Sequence, residues 1–155
     1  MRNIPKFVKG LDPVADAFAS SAVTDIISMK NHKTLTFMIH KGVSTSETDD
    51  GVVTVEACDD TTPSNTSAIE FRYQEIVSGD TPSEIKKATT SGFAMTPGSS
   101  QLYAIYVDAS SLASLNYEYV RLKVTEDTDD PVVASITAML SDGKVEKEIT
   151  DTAIV

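Results

Sequence analysis

The chain is short of cysteine, of positive charge and of long apolar runs, and each shortage excludes something. Cys58 is its single cysteine, so no intrachain disulfide can form and an oxidising export route is not implied. Thirteen Lys and Arg stand against 23 Asp and Glu, for a formal net charge of −10. That balance argues against nucleic acid, which needs Lys and Arg clustered against phosphates, and against an anionic membrane surface. No stretch approaches the roughly 20 apolar residues of a transmembrane helix. The segment Met1 to Gly10 is basic but has no apolar core, and Asp12, Pro13 and Asp16 break up the residues beyond it. It does not read as a signal peptide, so synthesis and folding in a cytosol are expected.

Catalytic motifs are missing too. No serine sits in G-x-S-x-G, and there is no Gly-rich phosphate loop. His32 and His40 with Cys58 lack the local signature of a nucleophilic pair and supply no fourth zinc ligand. The expectation is therefore no catalytic residue, no metal ligand, no cofactor and no enzyme. Three acidic pairs occur, Asp49-Asp50, Asp59-Asp60 and Asp129-Asp130. They match no calcium-loop spacing and are expected in turns, with Asp49-Asp50-Gly51 closing a hairpin; a weak calcium site is the alternative. Asn65-Thr66-Ser67 is formally a glycosylation acceptor, but without a secretory route it reads as an ordinary turn.

What is present is β-pattern. Thr34 to His40 sets Leu35, Phe37 and Ile39 on one face and Thr34, Thr36 and His40 on the other. Val52 to Cys58 comes next, then Ser67 to Ile76 with Ile69, Phe71 and Tyr73 in alternation. Period two marks half-buried antiparallel strands. Further strands are expected at Val23 to Met29, Gly92 to Met95, Gln101 to Asp108, Tyr117 to Thr125 and Pro131 to Leu140. Glu84 to Ala88 is too short for a firm helix, and a short helical turn is expected from Pro13 to Ala19. Ser and Thr together make up about a fifth to a quarter of the chain, which suits exposed strand faces and turns.

At 155 residues one domain is expected, with a core large enough to need no staples. The predicted fold is all-β: a single-domain β-sandwich or jelly-roll-like body with about seven or eight short, mostly antiparallel strands. Residues 1–20 are expected to form an extended N-terminal arm and short turn, and residues 21–155 the body. Ile4, Phe7 and Val8 are the candidate partner-contact residues of the arm. Tyr103, Tyr106, Tyr117 and Tyr119 crowd two strands read as neighbours. Core packing with a cross-strand pair is expected of them, and an exposed ladder that stacks on sugar or a protein is the alternative. The final Ala-Ile-Val reads as a docked end.

Several runs carry a resemblance: Met29-Lys-Asn31, the strand end Lys41-Gly42, the stretch from Val52 to Tyr73, Tyr106 to Leu112, Tyr119 to Leu122, and Thr152 to Val155. From about Ser20 onward the chain resembles a family of small tailed-bacteriophage virion proteins associated with head decoration, or cement. The resemblance implies a non-enzymatic protein that binds the outside of an assembled capsid and stabilises it against internal DNA pressure. It implies the major capsid protein as partner, a homo-oligomer with trimers at local threefold positions, and a virion location after synthesis in the host bacterial cytoplasm. The alternative is a neck, tail or receptor-binding module of similar architecture.

Overall fold

A computed structural model describes residues 4–46, 48 and 50–143. Its strands, in chain order, are β1 (Lys6–Val14), β2 (Ser21–Val23), β3 (Ile27–Ser28), β4 (His32–Ser44), β5 (Val52–Cys58), β6 (Thr66–Ile69), β7 (Phe71–Ile76), β8 (Lys86–Ala88), β9 (Phe93–Ala94), β10 (Gln101–Asp108), β11 (Tyr119–Thr125) and β12 (Val132–Gly143). One helix, α1 (Ala109–Ala113), succeeds β10. The strands form two antiparallel sheets packed face to face, an all-β sandwich. Sheet A runs β1-β12-β4-β10-β7-β8, and sheet B runs β2-β11-β5-β6 with β3 on β11 and β9 on β5.

The alternation in the sequence becomes the core. Leu35, Phe37 and Ile39 of β4, Tyr103, Ile105 and Val107 of β10, and Ile136, Ala138 and Leu140 of β12 point inward from sheet A. Val53, Val55 and Ala57 of β5 meet them from sheet B with Val120, Leu122 and Val124 of β11. Each buried aliphatic side chain contributes roughly 1.5–3 kcal/mol of transfer free energy. The rings of Tyr73 and Phe93 stack with centroids 3.8 Å apart beside Tyr103 and help close one end of the core.

Several expectations are corrected. Most of the described part of the expected arm, residues 1–20, is instead an edge strand: β1 (Lys6–Val14) pairs with β12 from Lys6↔Leu140 to Val14↔Ala134. Val8 is buried in the core at 6 % exposure, whereas Ile4 and Phe7 remain exposed at 80 % and 62 %. The backbone of Lys6–Val14 has a ladder partner, and this satisfies its polar groups better than water along a free arm. The short helical turn expected from Pro13 to Ala19 shrinks to a turn at Ala17 and Phe18, because β1 runs through Val14 and a bend follows it.

The single strand read over Ser67 to Ile76 breaks at Glu70, where β6 in sheet B hands over to β7 in sheet A. Ile69, Phe71 and Tyr73 still alternate because both sheets face the same core, so period two passes through the corner unchanged. The segment read from Val23 to Met29 is likewise split between β2 and β3, both on β11. The closing Thr152 to Val155, with its expected docked end, lies outside the described residues, as does Asp49.

Candidate functional site

The period-two pattern of β4 does not stop at Ile39. It places Lys41 inward as well, and Lys41 is fully buried. Its ammonium pairs with the buried carboxylate of Asp50 and donates to Gln101 Oε1 at 2.9 Å and to the Thr96 carbonyl at 3.0 Å. Asp50 also accepts from Ser44 Oγ at 3.0 Å and from the Gly98 N–H at 2.8 Å. Tyr103 donates its hydroxyl to Gln101 Oε1 at 2.8 Å and accepts the Thr96 N–H at 3.0 Å. Burial pushes the Tyr103 phenol up to about 12.

Asp130, also fully buried, accepts from the Ser46 N–H at 2.9 Å, Ser46 Oγ at 2.7 Å and the Thr48 N–H at 2.8 Å. These bonds fasten Ser46, Thr48 and Asp50, with the 96–101 turn, to the end of the sandwich. Asp50 and Asp130 are thus interior anchors rather than the solvated turn residues expected. The parity of Lys41 was the readable signal, since an inward-facing lysine requires a buried acid.

The two outer faces differ sharply in chemistry. Sheet B presents Glu56, Arg121 and Lys123, with Arg121 Nε 2.7 Å from Glu56 and Lys123 Nζ 3.8 Å from it. On sheet A, cross-strand register aligns three outward rows. They are Phe7-Met139-Thr36-Tyr106-Arg72, then Lys9-Thr137-Met38-Ala104-Gln74, then Ser135-His40-Leu102-Ile76. These fourteen positions (five, five and four) hold no acid and two fixed positive charges, Lys9 and Arg72, on a chain whose net charge is −10. Acid returns in the next row with Asp108, which is paired with Thr34. Exposed Val43 and Val133 extend the apolar area beyond the third row. Of the residues expected to contact a partner, Phe7 lies on this face, Val8 points into the core, and Ile4 precedes the strand.

The remaining candidates are dispersed. Cys58 is buried in sheet B with Sγ 3.7 Å from the Glu56 carbonyl, and burial pushes its thiol up to about 11. His32 and His40 sit on β4 in sheet A, His32 buried and His40 facing outward, whereas Cys58 ends β5 in sheet B. Tyr103 lies in the core and Tyr106 on the outer face of sheet A, where it donates to Gln74 Oε1 at 2.6 Å. Tyr117 precedes β11 and Tyr119 begins it, in the other sheet. The expected adjacency of the four tyrosines therefore does not occur, because β10 and β11 belong to different sheets.

Asp59 accepts from the Asn65 amide at 2.9 Å and the Asn65 N–H at 3.1 Å, and these bonds hold its carboxyl below the usual range. Asp16, Glu126 and Asp129 place one carboxylate oxygen each within 4.8 Å of the others. Calcium takes six to eight oxygens, so this trio covers part of a shell at most. A recess of about 410 Å³ opens where α1 leads into β11, with Met29, Leu112, Tyr117 and Tyr119 among its walls.

No family model matches the chain, and no curated protein matches it in sequence. Among solved structures, the crystal structure of SPBc2 prophage-derived protein YomS aligns over 92 % of this chain and 98 % of its own, with a TM-score of 0.52 and 14 % identity. At that identity the likeness is one of fold.

Proposed function

We propose that this chain is a structural protein of a tailed-bacteriophage particle that docks onto the outside of the capsid and stabilises it. The observation that carries the reading is the outer face of sheet A, whose three central rows hold no acid on a strongly acidic protein and mix apolar with uncharged polar side chains, Lys9 at their edge being paired with Asp12. Apolar area of this kind marks a protein contact. Here it is also the side on which a partner meets least of the chain's own negative charge. The occupant we assign is the capsid shell formed by the major capsid protein, through a surface that is apolar and neutral to acidic.

The prophage origin of the similarly folded YomS supports a phage setting, as does the resemblance of the strand and turn runs to head-decoration proteins. The role we assign is non-enzymatic. Trimers at local threefold positions on the virion exterior, after synthesis in the bacterial cytoplasm, complete the reading. A neck, tail or receptor-binding module is the second reading, favoured by the tyrosine-lined recess beside β11.

Quantitative mass spectrometry of gradient-purified particles tests the two against each other. Copies of this chain equal to the major capsid protein, or a simple fraction of it, support decoration. A handful of copies supports the second reading, and absence from particles overturns both.

A further inference from the structure

We propose that the recess beside β11 is a binding site for a neutral carbohydrate. Met29 and Leu112, both almost wholly buried, lie beneath it, and the surface it exposes is mainly polar. Two half-buried tyrosines, Tyr117 and Tyr119, stand in its walls. Asn116, Glu118 and Lys30 line the opening and are exposed. None of these five uses its side-chain polar group in a hydrogen bond or ion pair among the described residues. A pocket of about 410 Å³ falls within the range of small-ligand sites. Its unused donors and acceptors distinguish it from the interior around Lys41, where the polar groups are already committed to one another.

The chemistry selects the ligand class. A sugar ring offers apolar C–H faces, which suit tyrosine rings, and a belt of hydroxyls that both donate and accept. The recess supplies matching partners: an acceptor on Glu118, a donor on Lys30, and both on Asn116 and the tyrosine hydroxyls, while Asp59 is already held by Asn65. One ammonium against two carboxylates leaves the site with a charge of −1, on a chain at −10, which disfavours phosphates and other anions. That charge does not exclude a cation, so choline serves as the cationic competitor in the test.

The walls are held in place. Tyr117 N–H donates to the Leu112 carbonyl at 3.1 Å, Asn116 N–H to the Ala113 carbonyl at 3.0 Å, and Met29 N–H to the Glu118 carbonyl at 2.9 Å. Asn116 adopts a left-handed backbone at φ 59° that turns the chain across the opening. Fixed walls reduce the ordering that a weakly bound sugar would otherwise impose.

The test is an amide NMR titration of the isotope-labelled full chain with glucose, galactose, mannose, rhamnose and N-acetylglucosamine. Inorganic phosphate and choline are titrated alongside as charged probes. At least one neutral sugar is expected to give saturable shifts confined to residues 29–30, 59 and 112–119, and neither charged probe to do so. Tyr119→Ala is expected to weaken that binding about tenfold, the scale of one lost aromatic contact. Two rim variants guard against a folding defect: Glu118→Gln keeps the shape, and Asn116→Gly keeps the left-handed backbone. Both should unfold like the parent and bind less tightly. Absence of saturable shifts with every sugar, shifts elsewhere on the chain, or a preference for phosphate or choline would overturn the proposal. The site is separate from the sheet A face, so a chain abundant in particles but blind to sugars sinks only this inference, and the converse sinks only the capsid reading.

Discussion

At the scale of single residues, the interior pair Lys41–Asp50 invites a double-mutant test. Asp50→Ala leaves a buried ammonium without its carboxylate and strands the Gly98 N–H, while Ser44 Oγ keeps Asp130 at 3.4 Å. The expected cost is about 3–5 kcal/mol. Adding Lys41→Met removes the orphaned charge, so the double variant should recover much of that loss in urea unfolding. If the two single costs simply add, the buried pair is not coupled as described. A second residue-scale prediction concerns alkali. The folded-state values of Tyr103, about 12, and Cys58, about 11, exceed their ordinary values. Both groups thus favour the folded state fully below their ordinary pKa, and that contribution fades as pH rises through the raised one. Thermal stability should fall between about pH 9 and 12, by up to roughly 3 kcal/mol for Tyr103. Tyr103→Phe should flatten the upper part of that fall, and an unchanged profile would count against burial of the phenol as its cause.

At the scale of elements, strands buried on one face were legible and those without such a face were not. β4, β5, β10, β11 and β12 were readable because each repeats apolar residues at every second position. β1 has two buried residues, Val8 and Gly10, and one of them has no side chain; its period is too faint to separate an edge strand from a loose arm. β8 and β9, at three and two residues, are too short to show a period. The polar anchor was missed for a related reason. Asp50 and Asp130 sit beside Gly51 and Pro131, and turn chemistry in the sequence does not reveal that the turn folds inward. Gly92 shows how tightly one short element is seated. It adopts φ +77°, and a Cβ there would lie 2.0 Å from the Val53 carbonyl oxygen. Gly92→Ala should therefore lift β9 from β5 and cost more than about 2 kcal/mol. A melting temperature within a degree of the parent would refute that close approach.

At the scale of the whole molecule, the asymmetry between the two outer faces makes a prediction of its own. Met38 and Thr137 are cross-strand partners pointing outward near the middle of the sheet A face. Introducing Met38→Glu with Thr137→Glu sets two like charges side by side there and disturbs no core contact, so stability should change by no more than about 1 kcal/mol. Co-sedimentation with particles stripped of this chain should be lost. Retained binding by a folded double variant would move the docking surface elsewhere.

The position of β12 sets a timetable for this protein. The strand lies between β1 and β4, yet it begins 118 residues after Val14, where β1 ends (132 − 14). At ordinary translation speeds the ribosome needs about 6–24 s to span that interval. Throughout it, β1 and β4 each lack a neighbour that has not yet been synthesised. Sheet A therefore closes only after the end of β12 has left the exit tunnel, and the nascent chain carries open strand edges until then. Chaperone occupancy during synthesis, rather than final stability, should govern how much of this protein survives as soluble product.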